Sequence, residues 1–126
     1  MIVYKINYFM LKTILLILLG IFFILNGINH LINTHIYQEY SEKKGLMSPK
    51  LMVRLSGVAL IFGGLSLSTG ILLIYGIYGL SLFLVIASFT IHQFWKEDNM
   101  EMKLLEGMHF AKNMAILTEL IYIAYS

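Results

Sequence analysis

Two histidines lie on either side of a short charged segment near the end of the chain. His92 follows Ser88 by four residues, and His109 precedes Lys112 and Asn113 by three and four. These spacings place each group of side chains on one face of a helix. Imidazole exchanges protons near neutral pH, so residues of these types suit proton transfer or hydrogen bonding to a polar ligand.

A second polar stripe ends the first apolar run, where Asn26, Asn29, His30 and Asn33 follow i, i+3, i+4, i+7 spacing. Hydrocarbon cannot hydrogen-bond polar groups, so side chains at membrane depth should turn toward the protein interior. We therefore predict a ligand-binding polar cup without a metal ion. Its predicted members are Asn26, Asn29, His30, Arg54, His92, His109, Lys112 and Asn113.

One acid lies deeper than this cup. Glu119 follows Lys112 by seven residues, which places it on nearly the same helix face and about 10 Å further along. We predict that Glu119 is a buried acid, paired with Lys112, Arg54 or a hydroxyl of the third helix, or protonated if it has no partner.

The composition indicates a membrane protein with a single domain, residues 1–126. The chain is 59% hydrophobic and only 13% charged, so its apolar surplus is expected to face the lipid bilayer. A net charge of +2 without a dense basic run argues against nucleic acid as a partner. The lack of cysteine excludes disulfides and thiol chemistry, so an electron-transfer role requires a bound cofactor.

The hydrophobic pattern predicts an all-α, integral membrane four-helix bundle with spans near residues 9–32, 49–75, 77–96 and 99–125. Residues 55–95 contain no Asp, Glu, Lys or Arg, and this run is long enough to cross the membrane twice. We place the fold-back at residues 75–79, where two glycines and two tyrosines suit a turn at the headgroups. Ser48 and Pro49 predict a helix start, and residues 33–50 read as a polar connector.

This topology places both termini on one side of the membrane and both polar connectors on the other. The connector side carries most of the basic residues, which favours a cytoplasmic location for the connectors. Lys5 and Lys12 before the first span favour the opposite orientation, so the orientation stays open.

Several segments of the chain resemble the DoxX family of small four-helix membrane proteins. The resemblance is carried by the string from His92 to Trp95, by the string from His109 to Leu117, and by Gly20 with residues 27–31. Two family features differ: Ala59 and Leu60 stand where many relatives have an acid, and Lys12 stands where arginine is frequent. The missing acid argues against a mechanism that needs it, unless Glu119 replaces it.

The resemblance implies a redox-associated membrane subunit, because members of this family are linked to quinol oxidation or act as membrane partners of redox proteins. A quinone is then the expected cofactor, with His92 or His109 relaying its proton and Lys112 or Arg54 stabilising negative charge. Haem is not expected, although His30, His92 and His109 share one depth.

One other interpretation stays open. The chain is a non-catalytic membrane adaptor or assembly factor if its connector binds a membrane or soluble redox protein. The polar residues then only join helices or extend to the headgroups, as asparagines, lysines and arginines in membrane helices often do. Transport is disfavoured because the chain is short and has no inverted repeat.

Overall fold

The chain is helical over almost all of the residues that the structure describes. The computed structural model describes residues 2–126. Over this range it contains five α-helices and one short 3-10 helix, in the order α1 (Ile2–Ile32), α2 (Thr34–Lys43), α3 (Pro49–Thr69), α4 (Leu73–Thr90), the 3-10 turn (Phe94–Lys96) and α5 (Met100–Ala124). The all-α prediction is confirmed.

Three of these segments are long and apolar enough to cross a membrane: α1, α3, and α4 together with the 3-10 turn. This supports a multi-pass membrane protein in contact with the lipid bilayer. Within residues 2–126, α5 does not meet the same criteria of length and composition. It has 25 residues and carries several charged side chains, which lower its hydropathy.

The helices α1 and α3 run antiparallel and touch along a seam of glycines. A Cβ atom on Gly27 would lie 2.6 Å from the carbonyl oxygen of Gly57, and one on Gly64 would lie 2.6 Å from that of Gly20. Only glycine permits this approach, because any side chain would overlap the opposing backbone. The seam fixes the distance between the two helices over two turns.

The fold-back between the second and third apolar helices lies earlier than the predicted residues 75–79. It occupies residues 70–72, where Gly70 has a φ of 76° and caps α3 in the left-handed conformation. Gly76 lies inside α4, and a Cβ there would be 2.5 Å from the Cβ of Ser66. This glycine serves close packing between α3 and α4, so its presence does not indicate a turn.

The predicted polar connector at residues 33–50 also differs from the structure, because it contains α2. Pro49 does begin α3, but Ser48 makes no side-chain capping hydrogen bond. A side-chain cap of this kind is present at the start of α5, where the side-chain oxygen of Asn99 accepts from the backbone N–H of Glu101 at 2.8 Å.

The apolar core receives side chains from all four long helices. It consists of Phe23 from α1, Leu60 and Leu67 from α3, Ile77, Leu80 and Leu84 from α4, and Leu120 from α5. α5 reaches this core while packing against α4 and the 3-10 turn. The core thereby holds the polar ends of α4 and α5 next to each other.

Candidate functional site

The centre of the candidate site is Glu106, on the second turn of α5. Its side chain is completely buried, with 0% exposure. The Tyr40 hydroxyl on α2 donates a hydrogen bond to one carboxylate oxygen, and His92 Nδ1 lies 2.7 Å from the other. A buried carboxylate is tolerated only with such partners, because burial removes its hydration.

Tyr40 covers the acid from the connector side. Burial raises the pKa of the Tyr40 hydroxyl, and the hydrogen bond to Glu106 and the charges of Glu106 and Glu97 raise it further. The phenol therefore keeps its proton and acts as a hydrogen-bond donor throughout the physiological pH range.

Lys44 supplies the positive charge at this site. Its Nζ lies 2.5 Å from Oε1 of Glu97 and 3.6 Å from Oε1 of Glu106, and its side chain is only 11% exposed. The pair with Glu97 joins the end of α2 to the loop that precedes α5. Lys44 thus offsets part of the negative charge of two acids and holds α2 over the site.

The two histidines predicted from the sequence are in contact. Their rings stack with centroids 5.0 Å apart and an interplanar angle of 29°. An ionised Glu106 accepts from His92 Nδ1–H, which leaves Nε2 of His92 as the proton-accepting nitrogen. The Glu106 cluster, defined here as Tyr40, Lys44, His92, Glu97, Glu106 and His109, thus combines a proton acceptor with a buried counter-charge.

An aromatic group lies beside the Glu106 cluster. The Phe110 ring meets Phe89 at 5.3 Å, Phe94 at 5.4 Å and the single tryptophan, Trp95, at 5.9 Å between centroids. These edge-to-face contacts pack the 3-10 turn against α5. They give the site an apolar wall and place a fluorescent side chain next to it.

Among residues 2–126, the other predicted cup residues make no hydrogen bond or ring contact with this pair. Asn113 is buried on α5, one turn beyond His109. His30 is half-buried against Tyr37, and over residues 2–126 its buried Nδ1 has no hydrogen-bond partner. Asn26 donates to the carbonyl of Phe22 in its own helix.

The remaining three cup residues are exposed. Asn29 donates to the Tyr37 hydroxyl at 2.7 Å, and therefore joins α1 to α2. Arg54 and Lys112 are both exposed, as expected for cations that extend to the headgroups.

The prediction that Glu119 is the buried acid is wrong. Glu119 is exposed on α5, whereas Glu106 on the same helix is fully buried. The heptad from Lys112 to Glu119 does place both on one helix face, but both side chains are exposed there. Lys112 therefore cannot serve as an interior partner for Glu119.

Sequence reasoning missed four members of the Glu106 cluster: Tyr40, Lys44, Glu97 and Glu106. Tyr40 lies on α2 and Lys44 at its end, where the sequence indicated only a polar connector. One signal was available, because Glu106 and His109 have i, i+3 spacing and lie on the face that carries Asn113. That shared face indicates an inward position for Glu106.

A groove of about 440 Å³ lies on another side of α2. It is lined by Gln38, Glu42, Ser48, Pro49, Lys50, Leu51 and Arg54. A second, more open groove is lined by residues of α1 around Asn26 and Asn29. Neither groove includes a member of the Glu106 cluster. Among residues 2–126, no group of His, Cys, Asp and Glu side chains is suited to hold a metal ion.

Apolar helices of spanning length and a buried ionisable cluster at one end define a small multi-pass membrane protein. The DoxX family model matches residues 11–93, about two thirds of the chain, and the protein belongs to the DoxX family. The family prediction is therefore confirmed. His92 lies inside the matched region, while Glu106 and His109 lie beyond its end. No curated protein and no solved structure matches this chain.

Proposed function

We propose that this DoxX-family protein is a four-span membrane subunit of a quinone-linked oxidoreductase, with the Glu106 cluster as its quinone site. α5 would form the fourth span. Two observations support this span: Leu120 is fully buried in the common core, and Lys12 on α1 donates to the carbonyl of Ser126 at 3.2 Å. A helix of 25 residues is about 37 Å long, enough for the hydrocarbon layer.

The observation that carries the quinone assignment is the contact of His92 with buried Glu106 on one side and His109 on the other. A bound quinol would supply two electrons, which would pass to a redox protein partner, and two protons, for which His92 and His109 would be the acceptors. Nε2 of His92 accepts a proton, and Glu106 stabilises the resulting imidazolium because it lies 2.7 Å from Nδ1.

The residues around the histidines fit a quinone head group. Such a ring needs hydrogen-bond donors for its oxygens and apolar or aromatic walls. His92 and His109 offer ring nitrogens, and Phe89 and Phe110 form an aromatic wall nearby. Ser88 is fully buried one turn before His92, and over residues 2–126 its hydroxyl has no hydrogen-bond partner. It is available as a further donor.

In this proposal Lys44, rather than Lys112 or Arg54, is the cation of the site. Its ammonium group is close to Glu106 and Glu97 and is nearly excluded from solvent. A positive charge in this position limits the negative charge of the cluster and keeps Glu106 ionised as the counter-charge of His92.

Quinone binding is the direct test. A short-chain quinone analogue should quench the fluorescence of Trp95 in the purified protein, and the double variant His92→Ala, His109→Ala should bind it at least about tenfold more weakly, since two hydrogen bonds are lost. His35→Ala is the matched control, because His35 is exposed on α2. Equal quenching of the double variant and the control would contradict the proposal.

A second candidate is a non-catalytic adaptor that docks a soluble redox protein on α2. The exposed charges of Glu39, Glu42 and Lys43 on that helix favour it. Neutralising all three should then abolish partner capture and leave quinone binding unchanged. Capture by the neutralised variant would contradict the adaptor function.

A further inference from the structure

One face of α5 is exposed along its whole length. Its residues follow alternating spacings of four and three and are all exposed: Met108, Lys112, Ala115, Glu119 and Tyr122. Over residues 2–126, α5 makes close backbone contacts with α4 and the 3-10 turn and none with α1 or α3. This outer α5 face therefore has no partner within the described chain.

Glu119 on this face lies at a depth where the bundle has an apolar core. The next residue, Leu120, is fully buried in the core together with Leu80 and Leu60. Leu80 in turn lies against Gly63 of α3. Glu119 is thus within the depth of the apolar core but is exposed on the outside.

An outward carboxylate at this depth is costly in lipid. Insertion of an ionised side chain at the bilayer centre costs about 3 kcal/mol on the most lenient scale. Acids inside membrane helices normally face a protein interior or a water-filled cavity, where a partner is available. Among residues 2–126 the bundle offers no such partner to Glu119, which is exposed, so an ionised Glu119 needs a partner from another molecule.

We propose that the outer α5 face binds a transmembrane helix of a different protein, which carries a lysine or arginine opposite Glu119. Ala115 separates Lys112 from Glu119 and lets a neighbouring backbone approach closely. The inference rests on the membrane crossing of α5 that is part of the proposed function. It is independent of quinone binding.

A second copy of this chain does not fit the face. Copies inserted in the same orientation place equal residues at equal depth, so Glu119 would face Glu119 and Lys112 would face Lys112. Both pairs are of like charge and repel in a low-dielectric surrounding. A different helix with a lysine or arginine opposite Glu119 avoids this repulsion and also removes the cost of leaving the Glu119 carboxylate in lipid.

The chain has no cysteine, so a single label can be placed beside this face. We suggest Thr118→Cys with a fluorescent donor, because Thr118 is exposed and the label leaves Ala115 free. The protein is placed in phosphatidylcholine vesicles that also contain an acceptor-labelled, leucine-rich transmembrane peptide. Three peptides are compared, with a central Lys, Leu or Glu. Phe62→Cys is the matched control, because Phe62 is 68% exposed on α3 beside Gly63.

Energy transfer from residue 118 should exceed random proximity only for the Lys peptide, and Glu119→Leu should abolish the excess. Residue 62 should show none with any peptide. Equal transfer to the Lys and Leu peptides, or transfer that survives Glu119→Leu, would overturn the proposal. Transfer between two labelled copies above the random level would assign the face to a second copy instead. Quenching of the label by a water-soluble quencher would show that α5 does not cross, which is a failure of the proposed topology.

Discussion

The Glu106 carboxylate accepts hydrogen bonds at both of its oxygens, one from Tyr40 on α2 and one from His92 after α4. A single side chain on α5 thereby joins three segments that are far apart in the sequence. The histidines could be predicted because their spacing alone places them on inward helix faces. The acid could not, since its burial depends on α2 folding back over it, and no local pattern indicates that contact.

Glu106→Gln tests this junction. It removes the negative charge and leaves one acceptor oxygen for the two donors, Tyr40 and His92, while Lys44 keeps Glu97 as its only acidic partner. We therefore expect a loss of about 1–3 kcal/mol in the free energy of unfolding. Thermal unfolding in detergent, followed by Trp95 fluorescence, measures the effect. Glu119→Gln should leave the purified protein as stable as the wild type, and an equally stable Glu106→Gln variant would argue against a structural role of the acid.

Tyr40 makes the free energy of unfolding decrease with rising pH in the alkaline range. Its pKa is raised in the folded state above the ordinary value of 10.0. Above that pH the unfolded chain releases the proton while the folded chain retains it, so this contribution to stability is complete below about pH 10 and declines above it, by up to about 1.4 kcal/mol per pH unit.

Tyr40→Phe should therefore flatten the decline in the unfolding midpoint between about pH 9 and pH 11. The measurement is a series of thermal melts across that range. Tyr4→Phe, at an exposed position, should follow the wild-type curve. A Tyr40→Phe curve with the wild-type slope would show that another group causes the decline.

At the scale of the helices, the sequence predicted the approximate place of the four long helices, three of which are long and apolar enough to cross a membrane. It misplaced the turn after α3, because glycine serves both tight turns and close helix packing. Gly76 is needed where α4 meets Ser66, while Gly70 makes the turn. It missed α2, whose short polar sequence carries no strong helical pattern and whose position is held by Tyr40 and Lys44.

The α1–α3 seam gives a prediction at this scale. Gly27→Ala adds a methyl group that would lie 2.6 Å from the Gly57 carbonyl oxygen, so the helices must separate. We expect a destabilisation of about 1–3 kcal/mol. Gly79→Ala is the control, since a Cβ at Gly79 has no described neighbour within 4 Å. Thermal unfolding of the two variants should differ clearly, and similar midpoints would contradict the packing of the seam.

For the whole molecule, the proposed four spans place both termini on one side of the membrane and α2 with the 3-10 turn on the other. Single cysteines at Val3 and Ser126 should react with an impermeable maleimide from one side, and those at Glu39 and Asp98 from the opposite side. Labelling of residues 98 and 126 from the same side would contradict the fourth span. The same experiment in oriented vesicles determines which side is cytoplasmic.

The glycine seam has one more consequence. Gly20 opposes Gly64 and Gly27 opposes Gly57, so both helices repeat their contact every seven residues. A slide of α1 by two turns would still match one glycine pair, so the seam alone does not dictate a unique alignment of α1 on α3. Such a slide would carry α2 about 10 Å away from Glu106 and Glu97 and break both polar links. The polar contacts of the Glu106 cluster, at one end of the bundle, therefore select the alignment of α1 on α3 at its centre.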